Sequence, residues 1–287
     1  MAILVSRRSR VITQGTIGEA GLSHTGACRR YGKGKRCFVA DVNARQAGEV
    51  LDGLPTFGTV QEARARTGAT VSLVSGPPVL AAAAIEEAIE AGIELVVCIA
   101  EGIPLHDMIR VRRRLQGGRT LLLGPGCAGV ITPGEINVGV MPGELYSRGR
   151  IGVISRSGAL TGEAARQLAA FDLGQSTVVT LGDDPLGGLQ PIDVLKMFDD
   201  DLGTDAVLMV GDSHSDNDSD GDADEACARW IAEHMRKPVV GLVAGDDDCA
   251  RQAFAAMHEH RIPVTRDPAM MGVLVAAVVA LQWLPFD

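Results

Sequence analysis

A short stretch in the middle of the chain has the residue types and spacing of an anion-binding turn. Residues 151–154 are apolar and mostly β-branched, which is typical of a buried parallel strand. Small residues follow up to Gly158, and residues 159–170 then carry apolar side chains at helical spacing. A strand, a small-residue turn and a helix direct free backbone N–H groups and a helix dipole at an anion, usually a phosphate. The pattern predicts a phosphate site at Ser157, Gly158 and Ala159, although an ordinary turn with Ser157 as the helix N-cap would have the same sequence.

A second glycine-rich turn follows the first predicted strand of the chain. Glycines at positions 15, 18 and 21 have the spacing GxxGxxG, not GxGxxG. Such turns at the first strand of a doubly wound sheet hold nucleotide phosphates, because only glycine lets the backbone approach so closely. A plain tight turn is an equally good interpretation. The basic run 29–36 that follows could attract a polyanionic ligand or simply be solvated.

The segment 212–225 is rich in carboxylates and contains one metal-binding pattern. The DxDxDG opening of a calcium loop is matched by Asp216, Asp218, Asp220 and Gly221. Ca²⁺ or Mg²⁺ is therefore a candidate ligand. Position twelve is Cys227 in place of glutamate, so Glu225 would have to substitute, and no flanking pair of EF-hand helices is evident. A solvated acidic loop is the favoured interpretation.

Composition excludes several classes of function. The net charge of −9 argues against a general nucleic-acid-binding protein. The six cysteines are scattered without a CxxC pair, which favours reduced thiols in the cytoplasm over a disulfide framework. The apolar residues 1–5 are too few, and too soon followed by Arg7, to form a signal peptide or a membrane span.

Strand and helix patterns alternate along the whole chain, which predicts an α/β protein with two doubly wound domains. Five strand–helix units in the first part predict a Rossmann-like domain over residues 1–124. Glycines and prolines between 124 and 134 interrupt the pattern and are interpreted as the linker. Five further strands predict a flavodoxin-like domain over residues 125–287.

Five sequence blocks resemble, in the family's order, the α subunit of succinyl-CoA synthetase (succinate–CoA ligase). They are specific together, although none is specific alone, and they cover nearly the whole chain. The blocks are QGTIGEAG at 14–21, AEGIP at 100–104, GPGCAGVITPGE at 124–135, SRSGALT at 155–161 and KPVVGLVAG at 237–245.

The resemblance implies a CoA-binding N-terminal domain and a C-terminal domain that carries a phosphorylated histidine. It also implies a hetero-oligomer with a separate ATP-grasp β subunit, which supplies the nucleotide and Mg²⁺ site. The positions expected to contact CoA are Ile17, Gly18, Glu19, Ala20, Arg45, Gln46, Ile99, Ala100 and Glu101. The helix that opens at Ser157, Gly158 and Ala159 would face the phosphorylated histidine.

The chain departs from this family after residue 245. There the family has a long glycine-rich loop bearing the histidine, whereas this chain passes through Asp246, Asp247 and Asp248 directly into a predicted helix. The chain therefore lacks, in this loop, the imidazole that the resemblance implies as the phosphate carrier, and three adjacent aspartates would repel an incoming phosphate. Further departures are Gly162 at a substrate-pocket tyrosine, Gly126 at an asparagine, Arg45 at a CoA-contacting lysine and Asp212 at the glutamate that partners the histidine.

A relocated nucleophile is one hypothesis. Of the six histidines, His214 is the one near the predicted phosphate site, two residues beyond Asp212. The carboxyl ends of parallel strands face one crevice, so Asp212 or Asp216 could hold one ring nitrogen and leave the other nucleophilic. A solvated histidine in an acidic loop is the commoner case.

These observations predict a CoA-binding α-type subunit of an acid–CoA ligase that forms a nucleoside diphosphate without a phosphohistidine intermediate. A non-catalytic CoA-binding or regulatory paralogue, a pseudoenzyme, is the second hypothesis. An NAD(P)-binding Rossmann protein is the third, and the lack of GxGxxG disfavours it.

Overall fold

The computed structural model describes residues 2–15, 18–182, 184–212 and 220–282. The chain divides into two compact units. The first unit comprises Leu4–Met141 and Thr180–Leu189, and the second comprises Met1–Ile3, Pro142–Val179 and Gln190–Asp287. Among the described residues, no helix is long and apolar enough to cross a membrane.

The first unit is built on a seven-stranded sheet of order β3-β4-β2-β1-β5-β6-β7. Its strands are β1 (Val11–Gln14), β2 (Phe38–Val42), β3 (Val50–Leu51), β4 (Leu54–Phe57), β5 (Val71–Val74), β6 (Leu95–Cys98) and β7 (Leu121–Leu123). All neighbours pair in parallel except β3, which is antiparallel to β4. Counted in chain order, the parallel strands lie 3-2-1-4-5-6, the order of a Rossmann fold.

The helices of the first unit connect these parallel strands. They are α1 (Gly18–Arg30), α2 (Gly34–Cys37), α3 (Val60–Thr67), α4 (Pro78–Glu90) and α5 (Leu105–Leu115). Helix α3 shows how the sequence sets a boundary, since Thr59 accepts a hydrogen bond from the amide of Glu62 and Gly68 ends the helix in a left-handed conformation. Apolar side chains of α3, α4 and α5 pack on the sheet and form one core.

The second unit contains a sheet of order β14-β13-β12-β10-β11. Its strands are β10 (Arg148–Ser155), β11 (Gln175–Thr180), β12 (Ala206–Asp212), β13 (Val239–Ala244) and β14 (Val264–Thr265). Its helices are α6 (Gly158–Ala170), α7 (Pro191–Asp200), α8 (Asp220–His234), α9 (Asp248–Glu259) and α10 (Met271–Gln282). Counted in chain order the strands lie 2-1-3-4-5, which is the flavodoxin order.

The predicted α/β class and the two doubly wound sheets are confirmed. Two pairs of strands were missed by the sequence patterns, namely β3 with β4 and a hairpin in the predicted linker region. Strand β4 contains Pro55, which lowers strand propensity, and β4 pairs with β2 on one side. The stretch interpreted as a linker contains β8 (Gly129–Thr132), which forms an antiparallel hairpin with β9 (Ile136–Gly139) in the first unit.

Candidate functional site

The strand order of the first sheet reverses between β1 and β5, and doubly wound sheets bind ligands in the crevice at such a switch point. At this point the backbone of Gly15, after β1, lies against the backbone of Gly76, after β5. Gly15 has φ +79°, and a Cβ on Gly15 would lie 2.5 Å from the backbone nitrogen of Gly76. The amide of Ser75 donates to the carbonyl of Gln14 at 3.0 Å, which joins the ends of the two strands. The backbone here is therefore open to a ligand because neither glycine carries a side chain.

Helix α1 begins directly beyond this crossing, with Gly18, Glu19 and Ala20 as its first turn. Its unpaired N-terminal amides are suited to a phosphate, as the sequence predicts. Ile17 lies outside the described residues. The structure thus places three of the four positions predicted in this turn at the carboxyl edge of the sheet.

A chain of polar side chains fixes the end of β1, and sequence reasoning missed it. Ser72 Oγ donates to Gln14 Oε1 at 2.7 Å, and Gln14 Nε2 donates to Glu87 Oε2 at 3.4 Å. The other carboxylate oxygen of Glu87 accepts from the amide of Val60 at 2.9 Å. Gln14 is almost fully buried, so these bonds satisfy polar atoms that would otherwise destabilise the core. The sequence feature that could have indicated this network is Gln14, a polar residue at the end of a buried strand.

The loops after β2 and β6 reach the same edge of the sheet. Asn43 accepts from the amide of Arg45 at 3.1 Å and donates to Gln46 Oε1 at 2.8 Å, so this turn is ordered. Arg45 is exposed, and no described residue accepts a hydrogen bond from its guanidinium. After β6, the amide of Ile99 donates to Val74, the carbonyl of Ala100 accepts from Gly126 at 2.9 Å, and Glu101 is exposed.

Two buried cysteines lie behind this edge. Cys127 Sγ donates to the carbonyl of Cys98 at 3.3 Å. Burial raises the pKa of the Cys98 thiol to about 12. Burial and the neighbouring Cys98 likewise raise the pKa of the Cys127 thiol. Both groups remain protonated near neutral pH, so neither is a nucleophile for the crevice.

In the second unit, β10 leads into the predicted anion-binding turn. Ser155 Oγ accepts from the amide of Ser157 at 3.0 Å and donates to its carbonyl at 2.9 Å. Ser157 Oγ accepts from the amide of Leu160 at 3.4 Å and caps α6. The amides of Gly158 and Ala159 lie at exposed positions in the first turn. The Ser157 cap is confirmed, and it is compatible with the predicted phosphate site because it uses the amide of Leu160 and leaves those of Gly158 and Ala159 for an anion. The phosphate site itself stays a prediction.

Strand β12 brings a carboxylate position to the same edge. Val210 pairs with Ser155 of β10, and Asp212 lies two residues further along. Asp212 pairs in turn with Ala244, the last residue of β13. The carboxyl ends of β10, β12 and β13 are thus neighbours, as the relocated-nucleophile hypothesis requires. His214 itself lies outside the described residues, so its role stays a prediction.

Only part of the acidic segment 212–225 belongs to the described residues. Asp216 and Asp218 lie outside the described residues. Asp220 is the first residue of α8, so Gly221 is helical, whereas a calcium loop uses this glycine for a sharp turn. In the described part of the chain no three metal-ligating side chains come together. A metal site at Asp216, Asp218 and Asp220 stays a prediction.

The connection from β13 to α9 is short and closed. Residues 245–247 link Ala244 to Asp248, and Asp247 Oδ1 accepts from the amide of Ala250 at 2.7 Å as the helix N-cap. Arg266 donates to the carbonyl of Gly245 and to Asp246 Oδ1, both at 2.7 Å. The N-terminus of α9 therefore already carries its own carboxylate, whereas that of α6 is capped by an uncharged serine. Of these two helix starts, only that of α6 is electrostatically suited to a phosphate.

Comparison with known proteins defines the class. A family model described as "CoA binding domain" matches residues 6–102, and one described as "Succinyl-CoA ligase like flavodoxin domain" matches residues 148–277. The two sheets thus belong to a CoA-binding domain and a ligase-type flavodoxin domain.

Individual relatives specify this class further. Two of them, each named "Succinate--CoA ligase [ADP-forming] subunit alpha", come from Staphylococcus epidermidis and Staphylococcus aureus. Each is 44% identical over 245 residues, covering 85% of this chain and 78% of the relative. The chain belongs to the succinate–CoA ligase α-subunit family, and CoA is its cofactor.

Solved structures share the fold at lower identity. An ATP citrate lyase of Methanothrix soehngenii, in complex with citrate and coenzyme A, aligns with TM-score 0.81 at 19% identity over 99% of this chain. The dinucleotide-forming acetyl-coenzyme A synthetase 1 of Ca. Korarchaeum cryptofilum, with phosphate and ADP, aligns with TM-score 0.73 at 20% identity over 97% of this chain. This chain spans about half of the first of these (52%) and 61% of the second.

Proposed function

We propose that this chain is the CoA-binding α-type subunit of an acid–CoA ligase that forms a nucleoside diphosphate and uses no phosphohistidine on the loop after β13. The observation that carries this proposal is the connection 245–247, which contains no histidine and is closed by the Asp247 cap and the Arg266 hydrogen bonds. We further propose an ATP-grasp β chain as partner. The six free cysteines support a cytoplasmic location.

The crevice of the first unit fits CoA. The crossing at Gly15 and Gly76 gives the close backbone approach that a pyrophosphate needs, and the N-terminus of α1 supplies amide donors. Arg45, exposed and beyond the end of β2, is placed to attract a phosphate. Ile99, Ala100 and Glu101 follow β6 at the same edge of the sheet. CoA supplies a thiol whose sulfur attacks an activated acyl group.

The turn after β10 would bind the phosphoryl group of an acyl phosphate. The amides of Gly158 and Ala159 would hold its oxygens, and the α6 dipole would stabilise phosphate as it leaves. In this reaction the carbon–sulfur bond of the thioester forms while the bond from the acyl carbon to the phosphate oxygen breaks. The route needs no protein nucleophile, which is consistent with the loop after β13.

Calorimetric titration of the full chain with CoA, and separately with NAD, tests the binding half of the proposal. We expect saturable CoA binding that Gly18→Val abolishes, because a branched side chain would block close approach to the first turn of α1. Saturable NAD binding without CoA binding would contradict the proposal. Thioester formation by the complex purified from the native host tests the ligase half.

A non-catalytic CoA-binding or regulatory subunit is the second candidate. It is favoured by Asp246, Asp247 and Asp248, which put negative charge on the edge where phosphate must enter. It predicts CoA binding with no thioester formation by the native complex. The ligase proposal predicts both.

A further inference from the structure

A surface cavity of about 670 Å³ lies in the first unit, at the edge of the sheet opposite the proposed CoA site. It lies between the last turns of α3 and α4 and the residues that lead into β5 and β6. Its volume is in the range of about 300–1,000 Å³ that is typical of sites for small molecules. The lining residues used below are Arg64, Ala65, Ala69, Glu90, Ala91 and Glu94.

Opposite charges line this cavity without pairing with each other. Arg64 and Glu94 are both exposed, and among the described residues neither of them forms an ion pair. The third charged residue of the lining, Glu90, behaves differently because it already pairs with Arg114 of α5. One guanidinium and one carboxylate are therefore available to a ligand in the same cavity.

Both charges extend from backbone that is held in place. Arg64 Nη1 donates to the carbonyl of Ala91 at 2.8 Å, and a Cβ on Gly92 would lie 3.2 Å from the same nitrogen. This bond uses one of the five N–H donors of the guanidinium, so others remain for a ligand. The amide of Glu94 donates to the carbonyl of Thr70 at 3.0 Å, which fixes the backbone of Glu94. Such preorganisation lowers the entropy lost when a ligand binds.

The charges of the lining define the class of ligand. A carboxylate group matches the planar guanidinium of Arg64, and an ammonium group matches Glu94. The C-termini of α3 and α4 add partial negative charge, which also favours an ammonium group. The methyl groups of Ala65, Ala69 and Ala91 leave room for a side chain between them. We propose that this cavity binds a free α-amino acid, with its carboxylate on Arg64 and its ammonium on Glu94.

The cavity is connected to the turn that we propose for CoA. The amide of Ala91 donates to the carbonyl of Glu87 at 2.9 Å, one helical turn away on α4. The Glu87 side chain accepts from the amide of Val60 at 2.9 Å and from Gln14 Nε2 at 3.4 Å. A ligand that joins α3 to the turn after α4 restrains both helices and, through them, the end of β1.

The amino acid should therefore act as a positive effector of CoA binding. Ordering α3 and α4 in advance lowers the entropy lost when CoA binds, and we expect a CoA dissociation constant about fivefold lower. This effect rests on the proposed CoA site, whereas amino-acid binding itself does not.

Ligand-observed NMR of the full chain with each standard amino acid tests the binding site. Calorimetric titration then compares the tightest binder with two analogues, its decarboxylated amine and its deaminated acid. Each analogue should bind about tenfold more weakly or worse, since it carries one of the two charges. The proposal is overturned if no standard amino acid binds saturably, or if either analogue binds as tightly as the amino acid.

Variants locate the site. Arg64→Gln and Glu94→Gln should each lower the affinity for the amino acid by about tenfold or more. Ala65→Phe should abolish binding with both charges intact, because the new ring occupies the cavity. Arg66→Gln and Glu62→Gln are the matched controls, since both lie on α3 outside the lining and should bind like the wild type. Unchanged affinity in the three lining variants would place the binding site elsewhere and overturn the proposal.

CoA titration of the wild type, with and without a saturating concentration of the amino acid, tests the regulatory effect. A lower CoA dissociation constant that Glu94→Gln no longer shows would support it. An unchanged constant would overturn the regulatory role. A chain that binds the amino acid but no CoA would contradict the proposed function and leave the amino-acid site intact.

Discussion

Gly15 and Gly76 cross so closely that a Cβ on Gly15 would lie 2.5 Å from the backbone nitrogen of Gly76. This contact joins the turn after β1 to the turn after β5 at the switch point of the first sheet. Position 15 favours glycine for two reasons, because a Cβ would collide with the backbone of Gly76 and because φ is +79° there. The site that we propose for CoA depends on this crossing for its shape.

We predict that Gly15→Ala destabilises the chain by about 3 kcal/mol and abolishes CoA binding, because the new methyl group meets backbone that cannot move away. Urea unfolding and CoA titration measure the two effects. Gly117→Ala is the matched control, since Gly117 has φ +74° but nothing within 4 Å of its missing Cβ. It should cost about 1 kcal/mol and leave CoA affinity unchanged. Equal losses in both variants would show that the crossing has no special role.

Glu87 should matter for CoA although it belongs to α4 and not to the turn. Glu87→Ala removes the acceptor for Gln14 Nε2 and for the amide of Val60. We expect a loss of about 1–3 kcal/mol in stability from the unsatisfied donors, and weaker CoA binding because the end of β1 is less well fixed. Ser72→Ala leaves the Glu87 bonds in place and should have the smaller effect on affinity. CoA titration and thermal unfolding of both variants check this order.

Two variants of Ser157 distinguish its role as a helix cap from anion binding by the amides that follow it. Ser157→Ala removes the cap on α6 and should cost about 1 kcal/mol. Ser157→Asp keeps a capping oxygen and should restore stability, but its carboxylate should repel phosphate from the amides of Gly158 and Ala159. Phosphate affinity and unfolding free energy should therefore move in opposite directions between the two variants. If Ser157→Asp binds phosphate as well as the wild type, the anion site lies elsewhere.

The second unit should lose stability at acidic pH through Asp199. Burial opposes ionisation of this carboxyl, but its hydrogen bonds to Arg236 outweigh burial and lower its pKa. A pKa depressed in the folded state contributes stability above the unfolded value, near 4, and loses it as pH falls through the folded value. Arg236→Met should therefore destabilise the chain at pH 7 and have little effect near pH 2. Urea unfolding across this range checks the sign, and a pH-independent effect would contradict it.

The sequence predicted what depends on local pattern and missed what depends on tertiary contact. The Ser157 cap was recognisable, because strand, turn and helix are adjacent in the chain. The Gly15–Gly76 crossing and the Gln14–Glu87 bond join residues far apart in sequence, so no local pattern could show them. Strand β4 was hidden by Pro55.

The aspartates after β13 illustrate the same division. Their charge was evident from the sequence, and the prediction that this loop accepts no phosphate rests on it. That Arg266 donates to Asp246 needed the fold, because Arg266 follows β14, the strand next to β13. The Asp247 cap is a local contact to Ala250 that the sequence analysis did not identify.

Rapid-quench labelling of the native complex with γ-labelled ATP and the acid substrate tests the central claim most directly. The α-type chain and its ATP-grasp partner are separated after each quench, and thioester formation is followed in the same samples. The account predicts that thioester forms while this chain carries no acid-labile, base-stable phosphate. His214→Ala, assayed in parallel, should leave the rate of thioester formation unchanged. An acid-labile, base-stable label on this chain that appears and decays at the rate of thioester formation would contradict the account.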